Sequence, residues 1–286
     1  MKKSNLKDYF VVATALLLLV VGASLVVSFE DLLYPPAIQQ VIAPLVIITL
    51  VFRFFTSLQV AKLWYWAGIP LGVTSSAICL LSLLHSVESP EGFEQEIALS
   101  LISLGYGLAA SMLGYAFSAK VIHPVGDQRN PASTTIKVVV AVAVLICLLV
   151  SIELQVGLSA VVDVSASMLI ASPVLLGVYR SKANARADGV MTCLMFGALA
   201  CVFVGLIGYL FSGLDPKGLG PATATGLAGL IYSGLGLVGT MLFCEPEDLD
   251  QANVSRKNWH LMEIYALWVL MCFAPMSLRE SFSLVS

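Results

Sequence analysis

Charge is what this chain has least of. Only 12% of its 286 residues are charged, while 58% are hydrophobic. A soluble globular domain carries about 25% charged residues. That shortage excludes a soluble domain of useful size between the apolar runs and makes the chain an integral membrane protein. Histidine is scarce: His85, His123 and His260 lie at span ends or in loops. The six cysteines (Cys79, Cys147, Cys193, Cys201, Cys244, Cys272) lie in or beside apolar segments, without CxxC or Cys/His pairs. They read as small apolar residues, which excludes a disulfide framework and a metal site. No glycine loop ends in Lys-Ser/Thr, and HExxH and GxSxG are missing, so no enzyme is expected and no cofactor is implied. No carboxylate sits in the middle of a confident span; Glu153 and Asp163 flank an outer turn. A self-contained proton carrier generally has an intramembrane acid, base or histidine, so this chain alone is not expected to be one.

Long apolar runs are what it has instead. The pattern predicts eight transmembrane helices: Phe10–Phe29, Ala37–Phe55, Gly68–His85, Ile97–Ala119, Val138–Ser151 extending to Glu153 or beyond, Val164–Tyr179, Val190–Phe211 and Ala222–Phe243. About 20 apolar residues cross ~30 Å of hydrocarbon. The first run is long for a signal peptide and ends in no clean A-x-A site. Thr56–Lys62 reads as a short connection, Ser86–Glu96 as an acidic loop and Leu214–Pro221 as a polar turn. Leu261–Pro275 is short for a span, reaching ~22 Å at 1.5 Å per residue; it reads as a C-terminal helix on the cytoplasmic side, packed against the bundle or lying at the interface, with a ninth span as the alternative.

An ungapped shift of 126 positions superposes Leu80–Tyr106 on Leu206–Tyr232. Nine residues are then identical: Leu80, Leu84, Ser86, Pro90, Gly92, Ala98, Leu101, Leu104 and Tyr106 meet Leu206, Leu210, Ser212, Pro216, Gly218, Ala224, Leu227, Leu230 and Tyr232. Apolar composition explains the leucines but not Pro-x-Gly in both turns. The chain therefore reads as two parallel four-helix repeats, residues 1–125 and 126–250, followed by the C-terminal helix, 251–286. With eight spans, 14 of the 15 lysines and arginines fall on one side and only Lys217 on the other. The positive-inside rule then puts both termini in the cytoplasm.

Within each repeat the last helix carries small residues at steps of three and four. Gly226, Gly229, Ser233, Gly236 and Thr240 share one face in the second half. Ser100, Ser103, Gly107, Ala110 and Gly114 share it in the first. Such faces let membrane helices approach closely. Mild polarity accompanies them. Thr74, Ser75, Ser76, Ser103, Cys201 and Thr225 either pack between helices, bonding to backbone, or line a water or ion path.

These residues resemble a family. LDPKGLGPATATGLAGLIYSGLG, with Gly220-Pro221-Ala222 opening the last helix and Leu230-Ile231-Tyr232 at its centre, is similar to the last span of the MotA/TolQ/ExbB proton-channel family in its flagellar stator form. IALSLISLGYGLAASMLGYAF is more like the TolQ/ExbB form. GLSAVVDVSASMLIASPVLLGVY, through Asp163 and Ser165–Leu169, resembles the MotA segment that turns into its second span. The chain ending RKNWHLMEIYALWVLMCFAPMSLRESF looks like the family's cytoplasmic helix after the last span. The large cytoplasmic domain of the family is reduced here to Thr56–Lys62 and Arg180–Asp188. The threonine expected in the last helix of each unit falls on Leu104 and Leu230. Pro70 matches the proline opening the family's third helix, but Met195–Phe196 stand at its second-half place.

The resemblance implies a ring of five subunits in the bacterial inner membrane around two partner helices, each from a single-span protein of the MotB/ExbD kind whose intramembrane aspartate binds the proton. It implies self-association and no nucleic acid. Two other classes fit the residues: a non-conducting scaffold that kept the fold, and a small-solute transporter built from parallel repeats.

Overall fold

The computed structural model describes residues 14, 33–52, 57–86, 90–118, 134–180, 186–211, 216–243, 264 and 266–270. Every element among them is helical. Helix α1 runs Pro35–Ala37, continues through a π-helical stretch Ile38–Ile42, and ends as Ala43–Phe52. It is followed by α2 (Ser57–Ser86), α3 (Pro90–Ser118), α4 (Thr134–Gln155), a single turn Leu158–Val161, α5 (Val164–Arg180), α6 (Arg186–Phe211) and α7 (Pro216–Phe243).

Five helices are long and apolar enough to cross a membrane: Val60–Leu84, Ile97–Phe117, Thr134–Gln155, Gly189–Gly208 and Gly220–Phe243. Two of the eight expected spans are shorter apolar helices, Pro35–Val51 and Val164–Tyr179. The expected span Phe10–Phe29 lies outside the described residues, apart from Thr14. Among the described residues the chain is thus all helix, with five helices of spanning length, as in a multi-pass membrane protein.

Three expected connections are largely helix. Residues 57–62 belong to α2, 90–96 to α3, and 216–221 to α7. Proline explains the last two. Pro90 and Pro216 are the first residues of their helices, where the missing N–H costs nothing and the fixed φ suits the helix. Pro-x-Gly here starts a helix rather than interrupting one.

Neighbouring helices run antiparallel. Helix α2 turns back as α3, with Gly68 against Ser111 and Gly72 against Gly107. Helix α6 turns back as α7, with Gly229 against Cys201 and Gly236 against Leu194. Helix α5 lies along α6 through Gly177 against Cys193 and Gly197 against Ile170. Trp64 Nε1 donates to Thr49 Oγ1 at 2.8 Å and ties α1 to α2. Helix α2 is the centre of the bundle: 83% of its apolar window is buried, against 33% for α3 and for α4. The two groups meet where Gly234 of α7 lies on Pro70 and Thr74 of α2.

Between α4 and α5 the chain reverses at Gly157, whose φ of 81° favours glycine. The Glu153 carboxylate accepts from Leu158 N–H at 2.7 Å and closes that turn. The described part of the C-terminal segment packs against the bundle. Ala266, Leu267 and Leu270 are buried, and Leu270 covers Gly226, ten residues into α7. Its apolar face enters the bundle because a bare glycine there leaves a hollow for a leucine to fill.

Candidate functional site

Polar side chains inside the bundle form two clusters, and the expected site residues divide between them. The first lies among α1, α2 and α3. Ser75 Oγ donates to Gln40 Oε1. Ser76 and Ser100 pair through their hydroxyls, and Ser100 Oγ also donates to Ser76 C=O at 3.2 Å. Ser103 Oγ donates to Leu99 C=O at 2.9 Å and lies 3.7 Å from Cys79 Sγ. Gln40, Ser75, Ser76, Ser100 and Ser103 have no solvent exposure at all. Thr74, beside them on α2, donates back to Pro70 C=O at 2.8 Å, the usual way a hydroxyl is satisfied in an apolar helix.

Gln40 is the residue that sequence reasoning missed. Its Nε2 is buried and has no hydrogen-bond partner, although buried amides are normally paired. Gln40 sits in the π-helical stretch of α1, and single π turns recur at functional sites. The signal in the sequence is Gln39-Gln40, the one pair of amides in the apolar run Ala37–Phe55.

The second cluster lies among α5, α6 and α7. Asp163 immediately precedes α5. Its Oδ1 accepts from the N–H groups of Ser165 and Ala166, at 2.8 and 3.1 Å, which satisfies two of the free donors that open any helix. Its Oδ2 accepts from Thr225 Oγ1 of α7 at 2.7 Å. Tyr232 Oη accepts from Asp163 N–H at 3.0 Å and donates to Val161 C=O. All of the carboxylate's described partners are donors, so it is committed to holding α5 on α7. Thr225 lies five residues inside the apolar stretch Gly220–Phe243, about 7.5 Å from its first residue. Cys201 joins through Ala166 C=O, 3.7 Å from its Sγ.

The expected small faces lie at helix contacts. Gly107 meets the Gly68 and Gly72 backbones: an added Cβ would lie 2.6 Å from Gly72 Cα. Gly114 meets the Tyr65 backbone, Gly226 meets Leu270 and Val202, Gly229 meets Cys201, and Gly236 meets Leu194. Ser233 is buried and donates to Leu230 C=O at 3.0 Å. Their partners Gly68 and Gly72, and the contact through Gly234, had no signal in a single helix, because each depends on which helix lies opposite.

Among the described residues no three of His, Cys, Asp or Glu come together to hold a metal ion. Cys79, Cys147, Cys193 and Cys201 form no disulfide; Cys244 and Cys272 lie outside the described residues. A groove of about 170 Å³ between α4 and α7 is lined by Ala141, Val144, Leu148, Leu235, Gly239 and Leu242, among others. Its lining side chains are all apolar, so it offers no polar side chain to an ion or a hydrophilic solute.

Comparison with known proteins gives no family-model match, no match among curated proteins and none among solved structures.

Proposed function

We propose that the chain is a duplicated membrane subunit of the MotA/TolQ/ExbB kind, working in an ion-driven complex of the bacterial inner membrane. A single-span partner brings the proton-binding carboxylate. The observation that carries the reading is a buried polar seam in which the described residues bring no carboxylate, amine or imidazole: Gln40, Ser75, Ser76, Ser100 and Ser103 are buried. Amides and hydroxyls orient water but hold no proton at neutral pH. Asp163, the nearest described carboxylate to the apolar interior, is occupied as a helix cap.

The duplication is supported by the helices themselves. Shifted by 126, α1, α2 and α3 become 161–178, 183–212 and 216–244, each bound within three residues of α5, α6 or α7. Contacts shift with them. Ser75 meeting Gln40 becomes Cys201 meeting Ala166, and Ser76 meeting Ser100 becomes Val202 meeting Gly226. Helix α4 becomes the counterpart of 8–29.

The halves have diverged in chemistry. The second half replaces Gln40, Ser75, Ser76, Ser100 and Ser103 by Ala166, Cys201, Val202, Gly226 and Gly229. The first replaces Asp163 and Thr225 by Ala37 and Leu99. The seam therefore belongs to one half only, which favours one specialised half over two equal ones.

Proton flux into liposomes tests the function. The expected result is no flux from the chain alone, and flux once a single-span partner with an intramembrane Asp is added. That flux should vanish when the Asp becomes Asn. Robust flux from the isolated chain overturns the partner-dependent mechanism. A co-purifying partner that restores no flux favours the second reading, a non-conducting scaffold that kept the fold.

A further inference from the structure

We propose that the groove between α4 and α7 holds an acyl chain of one anionic phospholipid, with the lipid phosphate on Lys137 at the groove's mouth. The proposal does not depend on the ion-driven reading; it adds a ligand to the chain.

The groove is apolar along its length. It runs from Ala141 to Leu148 on α4 and from Leu242 back to Leu235 on α7, because the two helices, separated by three reversals of the chain, are antiparallel. Seven residues of helix make it about 10 Å long. Its volume of about 170 Å³ is close to that of an apolar cavity that takes up benzene, which leaves room for about six carbons of a chain. One flank is open: Val142 is 49% and Leu145 43% exposed. Gly239 widens it from the α7 side, where a Cβ would meet nothing within 4 Å.

Filling the groove selects no particular lipid. A tail that enters it leaves one apolar medium for another, so only packing holds it there. Charge selects the headgroup. The buried stripe of α4 continues from Val144 through Val140 to Lys137, its one charged member. Lys137 stands one turn before Ala141, at the end of the groove where α7 finishes at Phe243. It is three residues into the spanning stretch Thr134–Gln155, about 4.5 Å, a depth from which a lysine stem reaches the headgroups. Lys137 also interacts within the chain, but an ammonium has three donors and can bond a phosphate as well. Basic pockets between helices on the cytoplasmic side suit anionic headgroups, and the count of basic residues puts Lys137 on that side.

The first half lacks both parts of the site. Shifted by 126, Lys137 becomes Val11 and Gly239 becomes Leu113. One lipid per chain is therefore expected, not two.

Native mass spectrometry tests this on the full-length chain in mild detergent, given equal amounts of phosphatidylglycerol and phosphatidylethanolamine. The expected result is one retained lipid per chain, with phosphatidylglycerol favoured about fivefold, the ratio that ~1 kcal/mol per lysine near an anionic headgroup gives. Gly239→Phe fills the groove from a position that faces open space, so the fold is kept and the retained lipid is lost. Lys137→Gln still retains a lipid but takes the two headgroups equally, and Lys137→Arg keeps the preference. A wild-type chain that retains no lipid overturns the proposal. Retention unchanged in Gly239→Phe overturns it too, because the lipid then sits elsewhere. An unchanged headgroup ratio in Lys137→Gln means that Lys137 does not hold the phosphate, and overturns it as well. Where a lysine variant fails to fold, Gly239→Phe still decides. None of these readouts measures flux, so failure here leaves the ion-driven reading standing.

Discussion

Thr74 lies directly on Gly234, with its hydroxyl where any side chain at position 234 would begin. That contact joins α2 of one half to α7 of the other, and both residues are buried. Packing of this kind replaces the hydrophobic effect as the driving force between helices in lipid. The small residue is therefore a condition of the joint, not a filler.

Glycines at such contacts should differ sharply from glycines facing open space. We predict that Gly107→Ala destabilises the fold by about 1–3 kcal/mol or more. The new methyl would meet Gly72 Cα and Gly68 C=O, both backbone, which cannot rotate away. Gly105→Ala meets nothing within 4 Å and should be neutral or slightly stabilising. Thermal unfolding in detergent compares the two. Equal effects would remove the close-approach argument for α2 and α3.

A second prediction concerns the Asp163 cap. Asp163→Ala should cost about 0.5–2 kcal/mol from lost capping, with a further loss because Thr225 Oγ1 gives up its 2.7 Å bond to the carboxylate and keeps only the 3.2 Å bond to Pro221 C=O. Asp163→Asn keeps an acceptor oxygen and should cost less. Asp163→Ala combined with Thr225→Val should cost less than the two separate losses added, with a coupling of roughly 0.5–3 kcal/mol. Strict additivity in the double-mutant cycle would mean that the 2.7 Å contact contributes nothing.

A third prediction is topology. With 14 of 15 basic residues on one side of an eight-span arrangement, Gly126 should label from the cytoplasm and Glu91 and Asp215 from outside. Cysteine accessibility at the three positions tests it. Gly126 labelling from outside would reverse the arrangement of spans.

Much of this fold is written in local pattern. The apolar runs, the 126-residue shift and the small faces of α3 and α7 all depend on residues within one helix. What was illegible depends on partners. Helix starts at Pro90 and Pro216 read as turns because proline followed by glycine breaks a chain in most settings; here each proline is the first helical residue. The run at Thr56–Lys62 is polar enough for a loop, yet belongs to α2 from Ser57 onward. Thr225 was readable as a polar residue in a span, but not its bond to Asp163, 62 positions away. Gln40 was hidden differently. One amide in an apolar helix has no periodicity, and its significance came only from the burial of its Nε2 without a partner.

That amide supports the last prediction. An unpaired buried donor costs roughly 1–3 kcal/mol, whereas replacing both members of a polar pair by apolar groups is often neutral or stabilising. Gln40→Leu alone should leave Ser75 Oγ without its Oε1 acceptor while removing the unpaired Nε2, so its two effects oppose and the net change should be small. Gln40→Leu with Ser75→Ala removes the whole pair and should raise thermal stability above the wild-type chain. If the seam serves only packing, that double variant should also assemble and function normally. If it orders water for ion passage with the partner, the variant should be more stable and yet lose partner-dependent flux. Stability and flux measured on one preparation separate the two. A double variant less stable than the wild-type chain would show that Gln40 Nε2 is satisfied in the membrane and that the seam is a paired network.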